Sequence, residues 1–357
     1  MTPKAPVIGE EQIALLERLS NACAVSGDEG EVRAIVLEQV RPAADEVKVD
    51  ILGNVLVRRK AASAKALKVM LAAHMDEVGF MLVDSEEGGL FRFELVGGID
   101  LRQLPGKPVL AGKDHVPGVI GARPIHLTTP EERRSSIPLD ALRIDLGLDG
   151  KGKANPGDRA TFATRFRRLG PSLSGKALDN RIGVATLIEL VRHAPQNIEL
   201  CAAFTVQEEI GARGARVAAY AFDPDVALAL DSTPAADLPT WDGTENYLYN
   251  TRLGFGPAIY TMDAGTLSDP RLVRHVAETG DALHIPYQFR QPGSGGTDAG
   301  AIHRQRAGIP SVSISVPHRY THSAAAMVRM ADWQASLALI YHALQRLPQG
   351  IVSGERA

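Results

Sequence analysis

At 357 residues, 45% apolar and 23% charged, the chain has the composition of an ordinary globular protein and the length of about two domains. A net charge of −3, with Lys and Arg dispersed, excludes the basic patch that nucleic acid or an anionic membrane requires, and no run approaches the ~20 apolar residues of a membrane span. Cys23 and Cys201 sit in apolar contexts and offer no disulfide framework, and Met1-Thr-Pro-Lys-Ala-Pro has no apolar signal region, so a cytoplasmic protein is expected.

Ile13, Leu15, Leu16, Leu19 and Ala22 recur at helical spacing and predict an amphipathic helix, followed after Gly27 by a second from about Gly30 to Val40. Val47 to Val57 alternates around Gly53-Asn54 and predicts two strands joined at a turn. Leu67 to Ala73 reads as a buried strand that stops at His74-Met75-Asp76-Glu77. From Phe80 to about Arg168 the texture changes to short β-like pieces (91–96, 116–120, 143–146 and 159–165) separated by Gly, Pro and Asp turns. Such pieces predict a small barrel or sandwich, here inserted into an α/β domain.

After Gly170 the strand-helix alternation returns. Leu178-Asp179-Asn180 opens a helix over 181–193, a strand is expected at 198–206, a helix at 212–220, and a strand at 226–230 ending on Asp231. A polar, irregular stretch (234–250) precedes a helix near 270–280, a strand-like piece at 287–290 and the loop 293–298. A strand at 311–316 then runs into Pro317-His-Arg-Tyr-Thr-His322, and a helix over 331–347 closes the chain. The expected fold is therefore α/β: a mixed sheet flanked by helices, with an inserted barrel-like β domain.

Candidate chemistry centres on Cys201 to Ala215, an apolar run that ends in Glu208-Glu209 and exits through Gly211 and Gly214. Neighbours on an extended chain face opposite sides, so one glutamate could hold a metal while the other handles a proton. Glu-Glu pairs are also common on solvated surfaces, and the company this pair keeps decides between the two. His74 and Asp76 follow the strand at 67–73, Asp231 follows 226–230, His322 lies beyond 311–316, and Asp179 opens a helix. In open α/β sheets, sites form outside the carboxyl ends of the strands. Taken singly, Asp179 could be a helix cap, His74 a core histidine and Asp231 a turn former, while His318 competes with His322. Together they offer two imidazoles and three or four carboxylates, a set that suits Zn, Co or Mn and not a structural thiolate zinc. Two such ions ~3.5–4 Å apart, bridged by a carboxylate, form a hydrolytic clamp, and an unligated carboxylate would be the base.

The chain resembles the M42 family of metallo-aminopeptidases, which includes glutamyl and deblocking aminopeptidases. The likeness runs through Ala73-His-Met-Asp-Glu-Val-Gly79, Pro117-Gly-Val-Ile-Gly121, Ala177-Leu-Asp-Asn-Arg181, Val206-Gln-Glu-Glu-Ile-Gly211, Gly295-Gly-Thr-Asp-Ala299 and Arg319-Tyr-Thr-His-Ser323. It implies two divalent metals per subunit, zinc first, with Asp179 bridging, His74 and Asp231 on one ion, and Glu209 and His322 on the other. It further implies Glu208 as general base and Asp76 as the carboxylate that orients His74. His322 is preferred to His318 because it occupies the Arg-Tyr-x-His-Ser motif. The implied architecture is a zinc-peptidase (phosphorylase/hydrolase-like) domain over 1–76 and 169–357, interrupted at 77–168 by a β domain for oligomerisation and access control. A tetrahedral dodecamer with sites facing an interior chamber is implied too. Ala324-Ala-Ala and the segment 232–247 depart from the family's usual pattern, which bears on substrate preference and leaves the ligands intact.

The expected activity is removal of N-terminal residues from peptides. One alternative is an amidohydrolase or deacylase with a dedicated dipeptide-like substrate. A glycosidase using Glu208 and Glu209 would need carboxyls ~5–10 Å apart across a sugar, which adjacent residues supply poorly. A non-catalytic assembly protein would be expected to have lost ligands, and this set is complete.

Overall fold

The computed structural model describes residues 4–150, 152–244, 246, 250–291 and 293–353. Helices α1 (Glu10–Asn21) and α2 (Gly30–Val40) precede strands β1 (Glu46–Val49), β2 (Val55–Arg59) and β3 (Leu67–His74). Six strands follow: β4 (Gly79–Ser85), β5 (Leu90–Val96), β6 (Pro108–Ala111), β7 (Val116–Gly121), β8 (Arg143–Asp145) and β9 (Arg159–Phe162). The chain returns through β10 (Arg167–Leu169) and β11 (Ser172–Gly175) to α3 (Leu178–Arg192), β12 (Ile198–Thr205), α4 (Arg213–Phe222) and β13 (Val226–Pro234). It ends with β14 (Ala258–Ile259), α5 (Pro270–Leu283), β15 (Gln288–Phe289), α6 (Ala299–Ile302), β16 (Ser311–His318), β17 (Ala326–Arg329) and α7 (Met330–Gln345).

The main sheet has the order β1-β2-β12-β3-β13-β16-β14-β15. Its centre is parallel, with β3 flanked by β12 on one side and β13 on the other, and β16 beyond β13. Period-two alternation sends successive residues of β3 to opposite faces. Val69, Leu71 and Ala73 join the large core under α1, α2, α3 and α7, whereas Met70 and Ala72 join a smaller core under α4 and α6. Burial on both faces is why β3 from Val69 and β12 from Leu200 read as apolar runs. Since β12 and β13 leave β3 in opposite directions, a crevice opens at its carboxyl end, where His74 lies.

The six inserted strands close a barrel in the order β4-β5-β8-β7-β6-β9, with its own core. Phe80 makes edge-on contacts with Phe93 and Phe162 at ring-centroid distances of 5.2 and 5.3 Å. At the junction, a β-carbon on Gly79 would lie 2.7 Å from the Ala160 carbonyl oxygen and 2.5 Å from Val25, so the barrel can seat this closely only with glycine there.

Three expectations are corrected. Strand β13 runs past Leu230 to Pro234, so Asp231 is a strand residue, and β16 runs on to His318. Glu208 and Glu209 lie beyond the last residue of β12, as expected, but in a turn, so the extended-chain alternation considered for them does not apply. Strands β4 and β6 were not anticipated: β4 begins on a glycine at the junction, and β6 is four residues starting with proline.

Candidate metal centre

Five segments converge at the carboxyl edge of the sheet. His74 ends β3, Asp231 sits within β13, Asp179 is the second residue of α3, and Glu208 and Glu209 occupy the turn after β12. His322 lies between β16 and β17 with φ +56°, a left-handed conformation that turns the chain back there. His74 Nε2 lies 3.3 Å from Asp179 Oδ1, 3.5 Å from Asp231 Oδ1 and 4.0 Å from Glu208 Oε2. His322 Nε2 lies 3.4 Å from Asp179 Oδ2 and 3.2 Å from Glu209 Oε2. Asp179 therefore presents one carboxylate oxygen to each histidine.

Local sequence explains how Asp179 is free to do this. The capping bond of α3 comes from its neighbour: the Gly183 amide donates to Asn180 Oδ1 at 3.1 Å, while Asn180 Nδ2 donates to the Leu230 carbonyl at 2.8 Å. Asp179 itself has ψ 106°, outside the helical range. His318, the rival of His322, is fully buried, and its ring Nδ1 bonds the Val316 carbonyl instead.

Asp76 does more than orient an imidazole. Its Oδ1 lies 3.4 Å from His74 Nδ1 and accepts the Glu208 amide at 3.0 Å, while Oδ2 accepts the Glu209 amide at 3.1 Å and the Ser26 hydroxyl at 2.6 Å. One buried carboxylate thus fixes the histidine and the backbone of both glutamates. Behind it, Glu77 takes ion pairs from Lys176 at 2.8 Å and Arg181 at 3.1 Å, and Arg181 also donates to the Asp76 carbonyl at 3.0 Å. Thr205 donates to Asp298 at 2.6 Å at the back of the site.

The electrostatics are unbalanced. Burial opposes protonation of His74, yet bonds to Asp179, Asp231 and Asp76 raise its pKa well above the ordinary value. For His322, burial is likewise outweighed by Asp179 and Glu209, which push it up to about 11. Burial, partly opposed by His74 and with Asp231, Asp298 and Glu209 adding to it, drives the Glu208 carboxyl well above its usual range. Burial raises Glu209 and Asp231 too, against the pull of His322 and His74 respectively, and brings Asp298 up to about 7. Four carboxylates face two imidazoles, and Glu209 Oε1 is buried with no hydrogen-bond partner among the described residues. A buried acceptor without a donor and an excess of negative charge fit a site built for divalent cations with N and O ligands. The cluster lines a cavity of about 520 Å³ whose lining also includes Tyr260, Arg290, Thr297 and Thr321.

All seven candidate residues are brought together. Ser26, Lys176 and Asp298 were missed as participants. Asp298 lay inside the Gly295-Gly-Thr-Asp-Ala299 motif, while Ser26 and Lys176 carry no local signal.

The profile of a family described as M42 glutamyl aminopeptidase matches residues 53–339. A lysyl aminopeptidase of Pyrococcus furiosus is 32% identical over 93% of this chain and 96% of its own. A TET aminopeptidase from a marine-sediment Thaumarchaeota archaeon superposes with a TM-score of 0.91 at 33% identity, covering 97% of this chain and 99% of that one. A TET peptidase of Pyrococcus horikoshii, described as assembling into a tetrahedron or a large octahedral shell, has a TM-score of 0.82 at 31% identity, covering 94% of this chain and 100% of that one.

Proposed function

The chain belongs to the M42 glutamyl aminopeptidase family, and on that premise we propose that it is a co-catalytic, dinuclear metal aminopeptidase that releases N-terminal residues from peptides. The observation that carries this reading is Asp179, with Oδ1 toward His74 and Oδ2 toward His322. His74 and Asp231 would hold one ion and Glu209 and His322 the other, with Asp179 shared. The N/O donor set suits zinc first and cobalt or manganese as alternatives. Bound there, a pair of such ions would supply Lewis acidity toward the scissile carbonyl and an anchor for the substrate's free α-amine.

The chain's own residues do the rest. Glu208, whose carboxylate faces His74 across 4.0 Å, accepts a proton from the attacking water and returns it to the departing amine nitrogen. Asp76 keeps Glu208 in reach by gripping its backbone, so the base is aimed by a hydrogen bond two bonds from its own side chain. The inserted segment 77–168 is proposed to serve assembly and access control in a homo-oligomer, in line with the shells described for the Pyrococcus horikoshii relative.

The test is a panel of unblocked and N-acylated aminoacyl-p-nitroanilides and dipeptides, run on metal-stripped protein and after adding Zn, Co or Mn. Metal-restored cleavage confined to unblocked substrates is expected. Silence on those, with cleavage of acylated amides, would overturn the aminopeptidase reading in favour of an amidohydrolase.

A further inference from the structure

The turn between β6 and β7 meets the segment joining α1 to α2 and the first turn of α2, with residues outside the carboxylate cluster. There Cys23, Glu31 and His115 bring one sulfur, one carboxylate oxygen and one imidazole nitrogen within 4.8 Å of one another. Glu31 organises the three: its Oε1 lies 2.5 Å from His115 Nε2, and its Oε2 accepts the Cys23 amide at 3.0 Å. His115 adopts φ +49° at the end of the turn. All three residues line a cavity of about 320 Å³, which gives an ion a way in. Lys113 and Arg159 line the same cavity, and Arg159 is engaged by the carbonyls of Ser26 and Gly157.

We propose that Cys23, Glu31 and His115 form a second metal site, distinct from the carboxylate centre, that takes a borderline divalent cation such as zinc with solvent completing its coordination. The mixed S, N and O set selects that class over magnesium or calcium, which prefer all-oxygen ligands. Binding replaces the Cys23 S–H bond by a sulfur–metal bond and releases the proton to solvent. Without metal, burial holds that thiol at about 11, so Cys23 by itself is a poor nucleophile and the cation is what would make it a thiolate. An occupied site would tie the barrel to the segment that carries Ser26, whose hydroxyl holds Asp76.

Cobalt is the discriminating probe, because the carboxylate centre contains no sulfur and Cys201 is fully buried within β12. The full-length protein loaded with Co²⁺ should show a near-ultraviolet thiolate-to-cobalt charge-transfer band. The band should vanish in Cys23→Ser, weaken in His115→Gln, and persist in Cys201→Ala and in Asp179→Ala. Metal content should fall by about one ion per chain in Cys23→Ser, while turnover on unblocked substrates continues. As a check that needs no variant, zinc should change the rate of Cys23 alkylation and a chelator should reverse that change. A cobalt-loaded wild type without the band, or alkylation indifferent to zinc, would overturn the second site and leave the catalytic reading untouched.

Discussion

Asp76 and Glu77 are adjacent and both buried, yet they face opposite kinds of charge cluster. On one side, four carboxylates (Asp179, Glu208, Glu209 and Asp231) share two imidazoles. On the other, the single carboxylate of Glu77 is held by two cations, Lys176 and Arg181. Burial opposes ionisation of Glu77, but those cations keep its pKa below the ordinary range, whereas burial drives Glu208 up. Lys176 is itself drawn down by burial, with Glu77 resisting. The oversupplied cluster completes itself within the chain and reads as architecture. The undersupplied one needs something from outside, and that is the mark of a site.

The largest effect is expected where charge is removed from the undersupplied side without changing shape. Glu208→Gln should lower kcat about 10²–10⁴-fold while metal content and thermal unfolding stay near wild type. Near-normal turnover in that variant would assign the proton transfer to another group. On the opposite side the same Glu→Gln change should act on folding. Glu77→Gln leaves Lys176 and Arg181 buried without their counter-charge, and should cost about 3–5 kcal/mol in thermal or denaturant unfolding. A loss below about 1 kcal/mol, the scale of an exposed pair, would mean that water or rearrangement compensates. Acid should erode this contribution. Because the folded-state pKa of Glu77 lies below its unfolded value, the stability it adds is present at neutral pH and is lost as pH falls below the ordinary carboxylate range through the folded pKa.

A smaller effect should come from the hinge between the two clusters. Ser26→Ala removes one hydroxyl bond to the Asp76 carboxylate, which keeps its bonds from the Glu208 and Glu209 amides. The expected cost is about 1.5–3 kcal/mol of site order, the scale of a hydrogen bond to a charged group, seen as weaker metal retention and a lower kcat with KM little changed. Unaltered metal affinity would show that the two amides suffice.

What was legible in the sequence was whatever is local. Strands β3 and β12 announce themselves as largely apolar runs because both faces are covered, and the residues proposed for the site lie at or just beyond their ends. The end of β13 misled because Asp231, Ser232 and Thr233 look like a loop while lying buried in the strand beside β16. Asp179 looked as much like a cap as a ligand, and only the Asn180 bond to Gly183 separates the two. Glu77, Lys176 and Arg181 meet across about a hundred positions of chain, and no window of sequence records that pairing. Charge balance is a property of the folded neighbourhood, so the distinction between architecture and site was invisible until the segments were brought together.

The finest test of that distinction inverts a sign. In metal-stripped protein, Glu209→Gln replaces a carboxylate whose Oε1 is buried without a partner, whose Oε2 alone meets His322, and whose ionisation burial opposes. Burial disfavours the charge, and a neutral amide is easier to bury than a carboxylate with one oxygen left without a donor. His322 keeps its contact with Asp179, so no cation is orphaned. The metal-free variant should therefore be more stable than metal-free wild type by about 1 kcal/mol, a rise of roughly 2 °C in Tm. With zinc added the order should reverse, since wild type gains the binding energy of a ligand that the variant lacks. If Glu209→Gln instead destabilised the stripped protein as Glu77→Gln does, the carboxylates at the sheet edge would be satisfied within the chain, and the contrast between the two clusters would fail.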